Sequence, residues 1–199
     1  MVTFGLIRHA RTLWNQEKKI QGRTQTVLSP DGMSDVVLWA DILKPETYDL
    51  ILSSPMTRAR QTSQILSELL AVDIFYDADL REQDFGEWEG RRLTDIRKQA
   101  PGEIERQESR GWAFCPPGGE SRTRVLKRVS RAMQKALEAF AENQVLVVTH
   151  SSVMKILIYH LLDRAFTRDE MPLLKAYHLH ELTGKERIRI KKLNRLKLG

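Results

Sequence analysis

The sequence predicts an α/β fold: a single-domain three-layer α/β/α sandwich, with a mostly parallel central sheet and helices on both faces. Three observations predict it. Short apolar runs bounded by turn residues alternate with longer stretches of helical periodicity, the pattern of repeated β-α-β units. One run, Val145–Thr149, is continuously apolar, as a strand covered on both faces must be. The chain has 199 residues, 41% of them hydrophobic, which suits one core.

Val2–Arg8 reads as the first strand. Ser29-Pro30-Asp31-Gly32 then supplies an N-cap followed by proline at the first helical position. It opens a helix to about Leu43, with Val36, Val37 and Ala40 on the inner face. Asp49–Leu52 is a short strand, and Ser54-Pro55 repeats the cap-plus-proline signature for a helix to about Ala71. Ile65, Leu66, Leu69 and Leu70 keep helical spacing there. Val72–Tyr76 reads as a third strand. Leu93–Arg110 is polar and broken by Pro101-Gly102, so short helices are expected in a surface insertion. The stretch from about 91 to 119 is expected to act as a lid over a crevice.

"PPGGES" at 116–121 caps a long helix to about Glu142, striped by Val125, Val129, Ala132, Ala136, Leu137 and Phe140. The strand Val145–Thr149 should be central, followed by an apolar helix over Val153–Leu162. Two more strands are expected near Tyr177–Leu182 and Arg187–Lys192. No internal repeat or low-complexity linker interrupts this single domain spanning 1–199.

The net charge is +6, which favours an anionic partner. No run of 18 apolar residues is present, so no membrane span is expected. The first residues lack a basic region followed by a long apolar stretch, and Cys115 is the single cysteine. A cytoplasmic protein is the expectation.

Chemistry gathers at strand ends. In open parallel sheets, ligands bind beyond the carboxyl ends of the strands. The first strand delivers Arg8 and His9; the second delivers Ser53-Ser54 and the helix start carrying Arg58; the central strand delivers His150. On one sheet edge, these would place two histidines and two arginines in one crevice. Guanidinium groups hold phosphate oxygens through fixed forks and keep their charge. One histidine can then serve as a nucleophile toward phosphorus and the other as a donor to the phosphoryl oxygens. Glu82, in "LREQDFGEWEG" (80–90), is the first candidate to protonate a leaving alcohol.

Four blocks carry a resemblance: "RHART", "SSPMTRARQT", "LREQDFGEWEG" and "VVTHSS", in this order between residues 8 and 151. Together they resemble the histidine phosphatase superfamily, also called phosphoglycerate mutase-like. The resemblance implies that His9 becomes phosphorylated, that Arg8, Arg58 and His150 hold the phosphoryl group, and that Glu82 is the proton donor. It further implies phosphate contact by Asn15 and a loop beside the site at Gln21 and Gly22. Three departures stand out. Ala10 replaces the usual glycine, with a cost of about 1 kcal/mol if the local φ were positive. Arg11 replaces Glu or Gln and adds positive charge near the mouth, and "HSS" replaces a histidine followed by glycines.

The reading that results is a phosphatase of small phosphate monoesters working through a phosphohistidine. A phosphoglycerate mutase-type phosphoryl transfer is the alternative, although the resemblance implies that mutases are longer; a catalytically weak phospho-ligand binding module is the second alternative. The partner expected is a small phosphorylated metabolite, with a homodimer left open and neither membrane nor nucleic acid expected. No cofactor and no metal are expected: His178 and His180 share a strand face but lack an evident third ligand. Cys115 is rejected as a phosphatase nucleophile, because six residues rather than five separate it from Arg122. Arg60, Glu87 and Glu89 are taken as solvated or structural, and the basic tail "KERIRIKKLNRLKLG" as a strand with one solvated face. Arg91, Arg92, Arg97, Lys98, Arg106 and Arg110 are expected to favour substrates with extra negative charge.

Overall fold

The computed structural model describes residues 1–167 and 172–199. Four parallel strands form the heart of the sheet: β1 (Val2–Arg8), β2 (Leu50–Ser53), β3 (Asp73–Tyr76) and β4 (Gln144–Thr149). Two antiparallel strands, β5 (His178–Gly184) and β6 (Ile188–Lys197), extend it to the order β3-β2-β4-β1-β5-β6. The α/β sandwich expected from the alternation is therefore present, with its last hairpin antiparallel.

The helices are α1 (Leu13–Gln16), α2 (Pro30–Leu43), α3 (Thr57–Leu70), α4 (Leu93–Gln99), α5 (Glu103–Glu108), α6 (Arg122–Ala139) and α7 (Ser151–Leu161), of which α2 and α3 cover one face of the sheet and α6 and α7 the other. Alternate residues of β4 serve the two cores. Val145 and Val147 pack with α6 and α7 residues such as Val129, Met133 and Leu157. Leu146 and Val148 pack with α2 and α3 residues such as Val36, Trp39 and Leu66. Burial on both faces is why this strand lacks polar alternation. Among the described residues, no helix is long and apolar enough to cross a membrane.

Local signals set most boundaries. Ser29 caps α2 by accepting from the Gly32 N–H at 3.0 Å, with Pro30 at the first position; such caps stabilise by about 1 kcal/mol. Gly32 is obligatory because a Cβ there would lie 2.0 Å from the Arg11 carbonyl oxygen. Ser121 caps α6 in the same way. Three local readings differ. The helix expected to start at Ser54-Pro55 starts at Thr57 without a side-chain cap, because the Ser54 hydroxyl is engaged elsewhere. Val37 and Leu69 are exposed, and Trp39 and Leu43 take the inner positions of α2 instead. The last expected helix turn at 140–142 is replaced by a left-handed Glu142.

The segment from 91 to 119 carries α4 and α5 and has its own small core. Trp88, Ile96, Ile104 and Phe114 are buried together, with Ile20 and Phe85 packed against them. The segment is thus a folded unit set beside the carboxyl ends of the strands.

Candidate active site

Strand register brings the sequence-predicted groups to one edge. Arg8 lies opposite Thr149, and Ser53 opposite Val148, so the residues that follow on β1, β2 and β4 emerge together. His9 and His150 face each other with ring centroids 5.2 Å apart. His9, Arg58 and His150 are all buried. His9 and Arg58 line a cavity of about 510 Å³ together with Arg8, Asn15, Gln21, Gly22 and Glu82, and His150 stands behind it against His9.

The hydrogen bonds define the state of each group. His9 Nδ1 donates to the Ala10 carbonyl at 2.7 Å. Nε2 therefore carries the lone pair, and it accepts from Arg58 Nε at 3.1 Å. Burial holds the His9 pKa well below the usual 6.5, and the charges of Arg8 and Arg58 push the same way. At neutral pH the ring is a neutral base with its unprotonated nitrogen turned to Arg58. His150 is likewise held neutral by burial and then by Arg58 and the other neighbouring groups. Its Nε2 lies 2.8 Å from the Ser54 hydroxyl. With that hydroxyl donating, the proton sits on Nδ1.

His150 Nδ1 and Arg8 Nε are both buried without a hydrogen-bond partner among the described residues. Buried polar atoms are costly to leave unpaired, so two such atoms beside His9 mark a place built for an acceptor-rich anion. The N-terminus of α7 at Ser151 adds the positive end of a helix dipole.

Arg58 is held from three sides. Its Nη1 donates to the Thr24 carbonyl at 3.0 Å and its Nη2 to the Gly22 carbonyl at 2.7 Å, beside the Nε bond to His9. Burial lowers its pKa to about 10, which leaves it charged at neutral pH. The loop that holds it is itself held by Glu89, which was expected to be solvated. The Glu89 carboxylate accepts from the Arg23 and Thr24 N–H groups at 2.7 and 3.0 Å, the Thr24 hydroxyl at 2.6 Å and the Phe85 N–H at 3.1 Å. Gly22 has φ +49°, and a Cβ there would lie 1.9 Å from Glu89 Oε1. The glycine is what lets the loop close on that carboxylate.

Glu82 is buried, with Oε1 accepting from the Gln83 N–H at 2.8 Å and Oε2 from the Ser152 N–H at 3.4 Å. Sequence reasoning missed the residue that places it. Arg128, on the otherwise apolar inner stripe of α6, donates to the Asp79 and Glu82 carbonyls at 2.7 and 3.0 Å and pairs with Glu120. A cation interrupting an apolar stripe was the available signal. Asn15 uses its side-chain oxygen in the capping box of α1, accepting from the Thr12 N–H, so its amide nitrogen is the group left for a ligand. Gln21 accepts from the Thr26 hydroxyl at 2.7 Å.

The departures from the family pattern have local explanations. Ala10 does not adopt a positive φ, so the alanine carries no left-handed strain; its N–H donates to the Thr62 hydroxyl at 3.1 Å. Arg11 is spent on a two-pronged pair with Asp35, at 2.6 and 2.8 Å, and does not line the cavity. Ser152 of the "HSS" block contacts Glu82 through its backbone. Cys115 lies outside the cavity lining. His178 and His180 each engage Nδ1 with the backbone, of Ala176 and Asn194 respectively. Among the described residues no three His, Cys, Asp or Glu side chains gather as a metal site.

The arginines of the 91–110 stretch are placed differently from the expectation. Arg97 pairs with Glu105, Arg106 with Glu103, Arg91 with Gln99 and Arg110 with Gln107, and none lines the cavity. Arg97 and Arg106 are ion-paired within the segment, Arg92 donates to the Glu17 carbonyl, and Arg92 and Arg97 line a neighbouring pocket with Lys18 and Leu93.

The doubly wound sheet thus presents two histidines and two arginines together at its carboxyl edge. The chain belongs to the histidine phosphatase superfamily (branch 1), whose family model matches residues 4–194. It is 33% identical over 159 residues to a bifunctional protein of Mycobacterium tuberculosis, a match covering 79% of this chain and 43% of that one. This chain thus spans less than half the length of that relative. It is 28% identical over 162 residues to a probable phosphoglycerate mutase of Salmonella choleraesuis, covering 81% of this chain and 75% of the other. In structure it is similar to a mycobacterial glucosyl-3-phosphoglycerate phosphatase, with a TM-score of 0.81, 25% identity and 96% of each chain covered.

Proposed function

We propose that this chain is a phosphatase that hydrolyses small phosphate monoesters through a phosphohistidine on His9. One observation carries the reading: His9 presents an unprotonated Nε2, fixed by the Nδ1 bond to Ala10, among cationic and neutral donors. A phosphate monoester entering the site takes up the donors of Arg8, Arg58 and His150. The Arg58 Nε–H passes from His9 to a phosphoryl oxygen, which frees the lone pair for in-line attack. The P–O bond to the alcohol breaks as the N–P bond forms, and Glu82 gives its proton to the departing oxygen. Water then attacks phosphorus, loses a proton to the Glu82 carboxylate, and releases phosphate and neutral imidazole. Asn15 contacts the phosphate from α1, and the 91–119 segment serves as a lid over the bound ester.

The phosphoramidate bond is labile in acid and comparatively stable in base. Brief exposure to labelled ester followed by a basic quench leaves label on the wild-type chain and none on His9→Ala. Full activity in His9→Ala, or label on Cys115 or a serine, refutes the reading. Mutase-type transfer is the second reading, favoured by the likeness to a probable phosphoglycerate mutase. Free phosphate released from an aryl phosphate supports hydrolysis; isomerised phosphoglycerate without free phosphate supports the mutase.

A further inference from the structure

The phosphoryl-binding groups occupy only the floor of the cavity. Its volume, about 510 Å³, leaves room for a substantial alcohol beyond the phosphate. The apolar part of the walls around that remaining space is made by Trp14, Phe85, Leu93, Ile104, Phe114 and Phe166. Several of these belong to the small core under α4 and α5, whose inner side forms one wall. A polyhydroxylated alcohol laid against these side chains would lose water there without gaining partners from them.

Cations also line the space, and Arg122, Lys19 and Lys155 among them are engaged with protein groups. The Arg122 guanidinium lies 4.2 and 4.1 Å from the ring centroids of Phe114 and Phe166, and its Nη1 donates to the Gly111 carbonyl. Lys19 pairs with Glu17 at 2.7 Å and lies over Trp14. Lys155 lies over the Tyr159 and Phe166 rings, and Lys18 is at the exposed rim. Glu108 lines the same space and is close enough to Arg122 to offset its charge. Arg97 and Arg106, expected to attract a second anion, are ion-paired within the segment and do not line this space.

We infer that the alcohol carried by the substrate is apolar, aromatic or alkyl, and is chosen over sugar and polyanionic alcohols by the wall of Trp14, Leu93, Ile104 and Phe166. This rests on the phosphatase reading above, and the test separates the two. Three esters of poorly acidic alcohols are compared, so that leaving-group quality does not set the ranking: 3-phenylpropyl phosphate, glycerol 1-phosphate and 3-phosphoglycerate. The expected kcat/KM for 3-phenylpropyl phosphate exceeds each of the others by about tenfold or more. Leu93 is already 43% exposed, so Leu93→Asn leaves the fold intact. It should lower kcat/KM for 3-phenylpropyl phosphate by about threefold or more relative to that for glycerol 1-phosphate, chiefly through KM. Equal or inverted ranking, or a loss shared by all esters, overturns the inference. Calorimetric binding of 3-phenylpropylphosphonate and methylphosphonate needs no turnover. If the first binds about tenfold more tightly, with a negative heat-capacity change, the apolar wall stands even where no ester is cleaved, and only the catalytic reading fails. Equal affinities overturn the inference even where esters are cleaved.

Discussion

Glu89→Gln replaces a carboxylate oxygen by an amide NH2 at a position where all four contacts are donors: three backbone N–H groups and the Thr24 hydroxyl. Either orientation of the amide turns a donor toward a donor. A donor left unpaired costs about 1–3 kcal/mol, and a half-buried loop belongs to the lower part of that range. For a chain of this size each kcal/mol lowers Tm by about 2–4 °C, so a fall of about 2–6 °C is expected. The functional loss should be larger. The Gly22 and Thr24 carbonyls hold both terminal nitrogens of Arg58, whose Nε reaches His9. A displacement of about 1 Å in a positioning group can cost 100-fold in rate, so kcat on p-nitrophenyl phosphate should fall about 10- to 100-fold. The exposed Glu87→Gln serves as control and should leave both quantities unchanged. A lowered Tm with unchanged kcat would refute the link from Glu89 through the loop to Arg58. No change in either would refute the hydrogen-bond network itself.

Two further outcomes are expected. Glu82→Gln should slow alkyl esters far more than p-nitrophenyl phosphate, because a good leaving group needs no proton, whereas Arg58→Lys should slow both alike; rate ratios for the two esters check this. The folded pKa values of His9, His150 and His180 lie below the usual 6.5, that of His180 at about 4, and burial is the first cause in each. The unfolded chain therefore binds more protons as pH falls below about 6.5, so stability is full above that value and declines below it. Asp79 and Glu103, lowered by Arg131 and Arg106, act in the same sense but only below about pH 4.5. Calorimetric Tm should thus fall steadily between pH 6.5 and 5; a flat or rising Tm over that window would contradict burial of neutral imidazoles.

Local patterns carried much of this molecule. Alternating apolar runs and helical stripes marked the strands and most helix interiors, because side-chain periodicity is a property of neighbours along the chain. Ser29 and Ser121 marked helix starts, because a cap is made within three residues. The strand-end rule placed Arg8, His9, Arg58 and His150 together, and the register of β1, β2 and β4 brings them there.

What the chain order could not disclose was which partner each polar group would meet. Glu89 reads as one more charge in an acidic stretch, yet its acceptors hold a loop 65 residues earlier. Arg128 secures the Glu82 backbone from 46 residues away, and Arg58 reaches His9 across 49. Arg91, Arg97 and Arg106 read as a cationic lid, but each is held by a nearby partner and none lines the cavity, whose wall on this segment falls to Leu93, Ile104 and Phe114. Residue type and spacing determine which side chains can bury a surface or carry a charge. Only the packed fold determines which acceptor lies within 3 Å of a donor, because that distance depends on segments far apart in sequence.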